Sequence, residues 1–398
     1  MIPESESYDR NMTFIVIFLG MLTAFAPFVT DMYLPALPSM ADSFSTNASM
    51  IQMSLTTCMI GLAVGQLIFG PMSDRYGRKP ILIWTLILFI VSTVLCIYST
   101  DIYYFVLFRL LQGIAAAGSI VIARSIATDM CTGKDLVRVM AVVGAINGIA
   151  PVSAPVIGGV MTNSLGWQGI FVVLLLFGIA LLLACRFFQE SLPVDRRSNI
   201  SILHVPSFFL PLFKMRPFTG HMLQLGFAQT ALFANIASAP FIIQQHYGFS
   251  PFGFSIVFGL NALVLVFSAS ITARFKHIER VVIVGNVGLL AFSVAEAIAM
   301  FLDCNFIVYE CGILGILFSL GLCFTSETTI AMDAGRSHSG SASALIGAVP
   351  FAFGGLVSPL VGLGNTLHTT GLIFVLCAVG AILSMRMTRK HDCNQSLY

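Results

Sequence analysis

Long apolar runs alternate with short polar breaks along the whole chain, and this alternation limits the fold more than any other feature. About 20 apolar residues coiled as an α-helix match the thickness of a bilayer's hydrocarbon core. Twelve such runs, numbered spans 1 to 12 in chain order, can be drawn at about 12–39, 49–72, 80–99, 102–128, 138–162, 166–187, 217–245, 251–273, 280–302, 306–333, 340–362 and 367–387. Strict two-residue alternation is absent, which argues against a membrane β-barrel. Charged residues make up 10% of the chain and hydrophobic ones 57%, where a soluble domain holds about 25% charged residues. The expected fold class is therefore an all-α integral membrane protein with twelve transmembrane helices.

Charge placement tests that count. An even number of spans puts both termini on one side, and positive residues gather on the cytoplasmic side. The loops after spans 2, 4, 6, 8 and 10, with the termini, hold Arg10, Arg75, Arg78, Lys79, Lys134, Arg138, Arg196, Arg197, Lys214, Arg216, Arg274, Lys276, Arg280, Arg336, Arg389 and Lys390. The opposite loops hold no Lys or Arg; their charges are Asp42, Asp101 and Asp303. A wrong count would scramble this segregation, so both termini are expected in the cytoplasm. The N-terminus MIPESESYDR lacks a basic leader, so the first run reads as a retained helix. Nine scattered cysteines without a CxxC pair suggest neither a disulfide framework nor a zinc site.

The longest loop, 188–216, divides the chain into an N-terminal six-helix half (1–187) and a C-terminal one (217–398). With Pro193, Arg196, Arg197, Pro206 and Pro211 it reads as a polar linker with room for a short surface helix. Six plus six around such a linker is similar to the two-half build of secondary transporters.

Charges inside spans are costly, so each one needs a partner or a cavity. Asp31 lies between Pro27 and Pro35 on span 1, and Arg109 lies on span 4. Counted from their helix ends, both sit roughly 10–12 Å below the outer surface at 1.5 Å per residue. Similar depth and opposite sign point to a pair or a shared cavity. The pair is either a fixed structural bridge or a proton site, with Arg109 setting how readily Asp31 gives up its proton. Glu296 on span 9 is close enough to an outer helix end to be expected near the headgroups. Glu327 on span 10, amid Thr325, Ser326, Thr328 and Thr329, is expected to line the inner cavity. Glu310 and Asp333 sit at helix ends and need no further account. Phe227, Phe233, Gln224, Gln229 and Asn235 on span 7, with Tyr33, Gln52, Met53 and Gln112, would build an apolar cavity spotted with polar groups.

Several motifs carry a family resemblance. GQLIFGPMSDRYGRKP (65–80) places Gly70, Asp74, Arg75, Gly77, Arg78 and Lys79 in the spacing G-x-x-x-D-R-x-G-R-[KR]. This resembles motif A of the major facilitator superfamily, found between helices 2 and 3. Arg-Leu-Leu-Gln-Gly (109–113) resembles its motif B. GIAPVSAPVIGG (148–159), with Pro151, Pro155, Gly158 and Gly159, resembles the helix-5 motif C of its antiporters, with Ala154 in place of a glycine. TDMYLPALP (30–38), GWQGIF (166–171), ES-LP (190–193) and GSASALIGA (340–348) resemble the bicyclomycin-resistance (Bcr/CflA) drug exporters. The resemblance implies that Asp31 and Arg109 couple protons. It also implies that motif A with Asp129 latches the two halves, through Arg78 to Asp129 and Asp74 to the first donors of span 11 near Gly340.

The chain is thus expected to be a proton-coupled exporter of amphipathic drug-like compounds in a bacterial inner membrane, working by alternating access. No cofactor is expected: there is no nucleotide-binding loop, the seven His residues show no ligand spacing, and a proton gradient supplies the energy. Its expected partners are several small-molecule substrates and the bilayer, with no metal and no nucleic acid, and the chain is expected to be a monomer. The rival readings are an exporter of one defined metabolite, such as an amino acid or siderophore, and a non-transporting membrane sensor. An enzyme is not expected, since no nucleophile–base or metal constellation is visible.

Overall fold

The computed structural model describes residues 4–131, 133–197, 205–272, 274–336 and 339–389, and among them every regular element is helical. Span 1 is Glu4–Asp31, prolonged by the short turns Leu34–Ala36 and Leu37–Ser43. Spans 2, 3 and 4 are Ala48–Tyr76, Arg78–Ile97 and Ile102–Met130. Span 7 is Arg216–Phe241, ending in a π-helical turn at Ile242–His246. Spans 8 to 12 are Pro251–Thr272, Ile278–Phe301, Phe306–Ala334, Ser339–Val361 and Thr366–Arg389.

Spans 5 and 6 follow each other without an intervening coil over Gly133–Ala184, 52 residues that would be too long for a single span. Eleven segments among the described residues are accordingly long and apolar enough to cross a membrane, one fewer than the sequence predicts. A single helix of that length would be about 78 Å long, more than twice a hydrocarbon core of about 30 Å. The backbone turns out of helical geometry at Gly166, with φ 67°. A left-handed residue there reverses the chain, and residues 133–165 and 167–184 are two spans. The count of twelve holds.

The ends of the spans follow from their residues. On the side away from the termini, spans begin with short polar side chains. Asn47, Asp101 and Asn305 accept from the backbone N–H of Met50, Tyr103 and Val308 at 2.8, 2.7 and 3.2 Å. Ser250 and Asn365 do the same for Gly253 and Leu367. Each cap satisfies a donor that the helix leaves free.

Within the first half span 2 packs on span 4, span 1 on the 133–184 helix and span 3 on span 6. Within the second half span 8 packs on span 10, span 7 on spans 11 and 12, and span 9 on spans 10 and 12. The close approaches are made at glycine. Gly61 lies on the carbonyl of Leu110, and Gly113 on that of Cys58, so the backbones of spans 2 and 4 touch directly. The halves meet through span 2 on span 11 and span 5 on span 8. Ser49 donates to the carbonyl of Pro359 (3.0 Å), Gln52 to that of Ala237 (2.9 Å) and Gln244 to that of Pro35 (3.0 Å). These three bonds all lie toward the end of the bundle far from the termini. The linker carries the short helix Val205–Lys214, whose Leu212 is buried with Phe218 and Leu225 of span 7.

Candidate functional site

A cavity of about 190 Å3 lies between the halves. Its wall is Ala26, Pro27, Thr30 and Asp31 of span 1, Pro151 of span 5, Phe233, Asn235 and Ile236 of span 7, Phe258 and Asn261 of span 8, Leu317 of span 10 and Phe351 of span 11. Asp31 is the one ionisable group on that wall. It is also the last residue of the α-helical part of span 1. Pro35 lacks an N–H and disfavours helix in the residue before it, so the chain unwinds at Met32 and Tyr33 before coiling again. The unwound Met32 carbonyl rests on Gly158, where any side chain would collide with it. Gly159 meets Ser255 and the Pro251 carbonyl of span 8 in the same way. The helix-5 motif therefore does two jobs in this structure. Gly158 seats the broken helix that carries Asp31, and Gly159 brings the second half alongside.

Arg109 is fully buried, yet it forms no ion pair with Asp31 among the described residues. Its guanidinium donates to the Gln112 side chain at 2.5 Å and to the Val29 carbonyl at 3.1 Å. It also lies over the rings of Tyr33 and Phe171, at 4.3 and 5.6 Å from their centres. Gln112 passes the chain on to Thr93 of span 3 (2.7 Å), and the Tyr33 hydroxyl meets Ser54 of span 2 (3.3 Å). Arg109 thus ties spans 1, 3, 4 and 6 together from behind the cavity wall. Equal depth did not pair the two charges: the Asp31 carboxylate lines the cavity, and the Arg109 guanidinium is taken up by Gln112 and the Val29 carbonyl. What joins them is backbone: Arg109 holds the carbonyl two residues before Asp31.

Of the expected cavity residues, Asn235 is on the wall, with its Oδ1 free of partners among the described residues, and Phe233 is beside it. Four others are displaced from it. Tyr33 and Gln112 belong to the Arg109 network. Phe227 packs on Gly380 and on the Phe353 ring, between spans 12 and 11. Glu327 of span 10 is buried against span 9, accepting from Asn286 at 2.9 Å, and Asn286 in turn reaches Gln224 of span 7 at 3.5 Å. Its threonine neighbours mark helix packing rather than a cavity wall. Glu296 does not reach the headgroups: it is 1% exposed and pressed against Gly312 of span 10. Asn261, which no sequence signal singles out, lines the cavity with a free Oδ1.

The motif A loop is a closed network. Gly77 adopts φ 101° and ends span 2, and the Glu190 and Arg197 side chains fill the space where its Cβ would stand. Arg78 donates to Asp129 of span 4 at 2.8 Å, to Ser73 at 2.8 Å, and to Asp74 one turn before it. Lys79 caps the end of span 6 through the carbonyls of Arg186 and Phe188. Arg75 lies over Tyr76, and Gly70 sits beside Val121 of span 4. Glu190 and Ser191, which the sequence marks only by family likeness, complete the network. The Glu190 carboxylate accepts from the free N–H groups of Arg78 and Lys79 at 2.9 and 3.1 Å, where an anion suits a helix start. Ser191 donates to Asp129 at 3.2 Å. The expected contact of Asp74 with span 11 near Gly340 falls on side chains outside the described residues, and Asp74 itself is half-exposed.

Two packed halves of membrane-spanning helices around a cavity define a polytopic transporter. The model of the Major Facilitator Superfamily matches residues 19–359, and the chain belongs to that family. It is 35% identical over 381 residues to the MFS-type transporter YdgK of Bacillus subtilis (strain 168), covering 94% of each chain. It is 27% identical over 389 residues to the bicyclomycin resistance protein homolog of Haemophilus influenzae, covering 94% of this chain and 96% of that one. The likeness to bicyclomycin-resistance proteins read from the sequence is borne out there. Among solved structures, a bacterial homolog of the human lysosomal transporter Spinster superposes with a TM-score of 0.76 at 16% identity, covering 95% of this chain and 98% of that one. At that identity the likeness concerns the fold.

Proposed function

We propose that the protein is a proton-coupled exporter of amphipathic drug-like compounds in a bacterial inner membrane, with both termini cytoplasmic. The observation that carries this reading is Asp31, a carboxylate without an ion-pair partner among the described residues, at a helix break on the wall of a mostly apolar cavity between the halves. A carboxyl group there takes a proton when the cavity closes around it and releases one when water or a cationic cargo reaches it. The cavity wall offers aromatic and aliphatic surface with two amides, Asn235 and Asn261, which fits varied apolar cargo better than a sugar or a phosphate. The names of the relatives support a drug-like cargo: a bicyclomycin resistance protein homolog, a chloramphenicol resistance protein of Pseudomonas aeruginosa and multidrug resistance proteins.

The three hydrogen bonds Ser49–Pro359, Gln52–Ala237 and Gln244–Pro35 between the halves lie toward the end far from the termini, and in this reading they hold the outer end shut. At about 190 Å3 the cavity is smaller than ordinary ligand sites of about 300–1,000 Å3, and it widens as the halves rock apart toward the cytoplasm. The motif A network then acts as the latch of the opposite, outward-open state, a role that Asp74 serves by reaching span 11. The test uses proteoliposomes holding a proton gradient, to which cationic dyes and neutral antibiotics are added in turn. Several compounds should dissipate the gradient with the wild type and none with Asp31→Asn. Dissipation by a single compound would make the exporter specific, and dissipation by none would end the proton-coupled reading.

A further inference from the structure

The outer end of span 7 is held from two sides. Its α-helix gives way at Ile242–His246 to a π-helical turn, a rare form whose bonds skip one residue more. From this turn Gln244 reaches the first half and donates to the Pro35 carbonyl at 3.0 Å, beside the break in span 1 that carries Asp31. From the same turn His246 Nε2 meets the Asp303 carboxylate, between spans 9 and 10, at 2.9 Å. The next residue, Tyr247, donates its hydroxyl to the Cys304 carbonyl at 3.0 Å. Asp303 stands at φ 52°, and the Cys304 N–H is bound to the Ala299 carbonyl at 3.1 Å, which fastens this loop to the end of span 9. The π-helical turn therefore links that loop to the first half. Solvent reaches both members of the ion pair, whose side chains are 38% and 68% exposed.

Histidine is the side chain whose charge ordinarily changes between about pH 5 and 8. A proton on the ring turns a neutral hydrogen bond to a carboxylate into a charge-assisted one, roughly twice as strong. Span 8, which packs on the π-helical turn, carries no titratable residue, and neither does Leu34–Ala36. The segment Leu37–Ser43 brings only the exposed Asp42. Tyr247 meets the His246 ring edge-on at 4.7 Å and the Tyr309 ring of span 10 at 5.4 Å. The remaining groups on the neighbouring segments are the thiol of Cys304 and the carboxyls of Glu296 and Glu310 on spans 9 and 10. A second histidine, His368 of span 12, stacks on Phe301 at 4.6 Å and forms no ion pair among the described residues.

We propose that His246 and Asp303 form a proton-sensitive brake on the outer gate. A hydronium ion in the outer medium gives its proton to the His246 ring and leaves as water. The ion pair so formed holds the π-helical turn where Gln244 grips the Pro35 carbonyl. In an acid medium the outer end stays shut; once the histidine is neutral the hold weakens and the halves part more readily there. An exposed pair is a weak clasp, so opening should change by about two- to fivefold. The brake rests on the alternating-access reading, and it restrains proton entry when the outside is most acid.

The test reads the outer gate directly, in the full-length protein in detergent. Nitroxides at Thr100→Cys and Leu363→Cys, exposed positions on outer loops of the two halves, report its width by double electron–electron resonance. Cys304, Cys311 and Cys393 are replaced by Ser to keep the label off them, and Asp31→Asn silences the cavity carboxyl. Raising the pH from about 5.5 to about 8 should increase the long-distance population about two- to fivefold. His246→Gln should hold that population at its high-pH level at both values, and so should Asp303→Asn, while His368→Gln should leave the shift intact. A parent without the shift, or a shift that survives both His246→Gln and Asp303→Asn, would overturn the brake and leave the exporter reading standing. The exporter reading fails separately, if no dye moves protons in proteoliposomes of the protein with Asp31 intact.

Discussion

Arg109 in the first half and Glu296 in the second are buried to the same degree and are treated in opposite ways. Arg109 spends its guanidinium on Gln112 and the Val29 carbonyl, and two aromatic rings cover its faces. Glu296 makes no hydrogen bond at all among the described residues. An arginine keeps its charge under all ordinary conditions, so burying it is tolerable only if the surroundings are built to hold that charge. A carboxyl group has another way out: it takes a proton and becomes neutral. The first kind of burial produces architecture and the second leaves a group whose charge can change. Asp31 stands between them, next to the Arg109 network through the backbone and free of it through its side chain.

That contrast makes Arg109→Met the most damaging single change. It strips the donor from two buried acceptors, each worth about 1–3 kcal/mol when left bare, and unpacks two rings. Thermal unfolding in detergent should show the largest fall of any variant considered, with transport lost; a variant as stable as wild type would break the comparison. Asp31→Asn should abolish proton-driven transport while moving the unfolding midpoint little, because Asp31 forms no ion pair among the described residues. Gly158→Val comes next. Its side chain collides with the Met32 carbonyl, and overpacking of this kind costs about 1–3 kcal/mol, so transport should fall together with the midpoint as the Asp31 turn is displaced. Glu190→Gln should have the smallest effect. It removes a negative charge from the start of span 3, worth about 0.3–1 kcal/mol and reduced by salt, and puts an amide NH2 in place of one of the two oxygens that accept from Arg78 and Lys79, which costs about 0.5–1.5 kcal/mol more. A large salt-independent loss would mean that Glu190 holds more than a helix end.

Depth in the membrane was legible in the sequence, and direction was not. Counting residues from the ends of apolar runs located every span, and the absence of Lys and Arg from one set of loops sorted the two ends of the bundle. The same counting put Asp31 and Arg109 at one level and did not show that Asp31 lines the cavity while Arg109 is held by Gln112 and the Val29 carbonyl. It sent Glu296 to the headgroups because a residue so close to a helix end is shallow, although its side chain turns inward onto Gly312. Glu327 failed in the same manner, its polar neighbours being helix-packing groups. In a soluble helix, the polar face would reveal the direction; here lipid is as apolar as the core, and the pattern around the helix carries little of that signal. What could have flagged the second half is the pairing of an intramembrane acid with a glycine on the next span, Glu296 with Gly312, since room for a backbone-close carboxylate has to come from somewhere.

The central claim is that one buried charge is structural and its neighbour is the proton carrier. It is tested most directly by measuring proton flux and thermal unfolding on the same reconstituted preparations of wild type, Asp31→Asn and Arg109→Met. The account predicts that Asp31→Asn unfolds where the wild type does and moves no protons on addition of a transported dye, while Arg109→Met unfolds at a markedly lower temperature. Proton flux at the wild-type level in Asp31→Asn, from a preparation that unfolds normally, would contradict it.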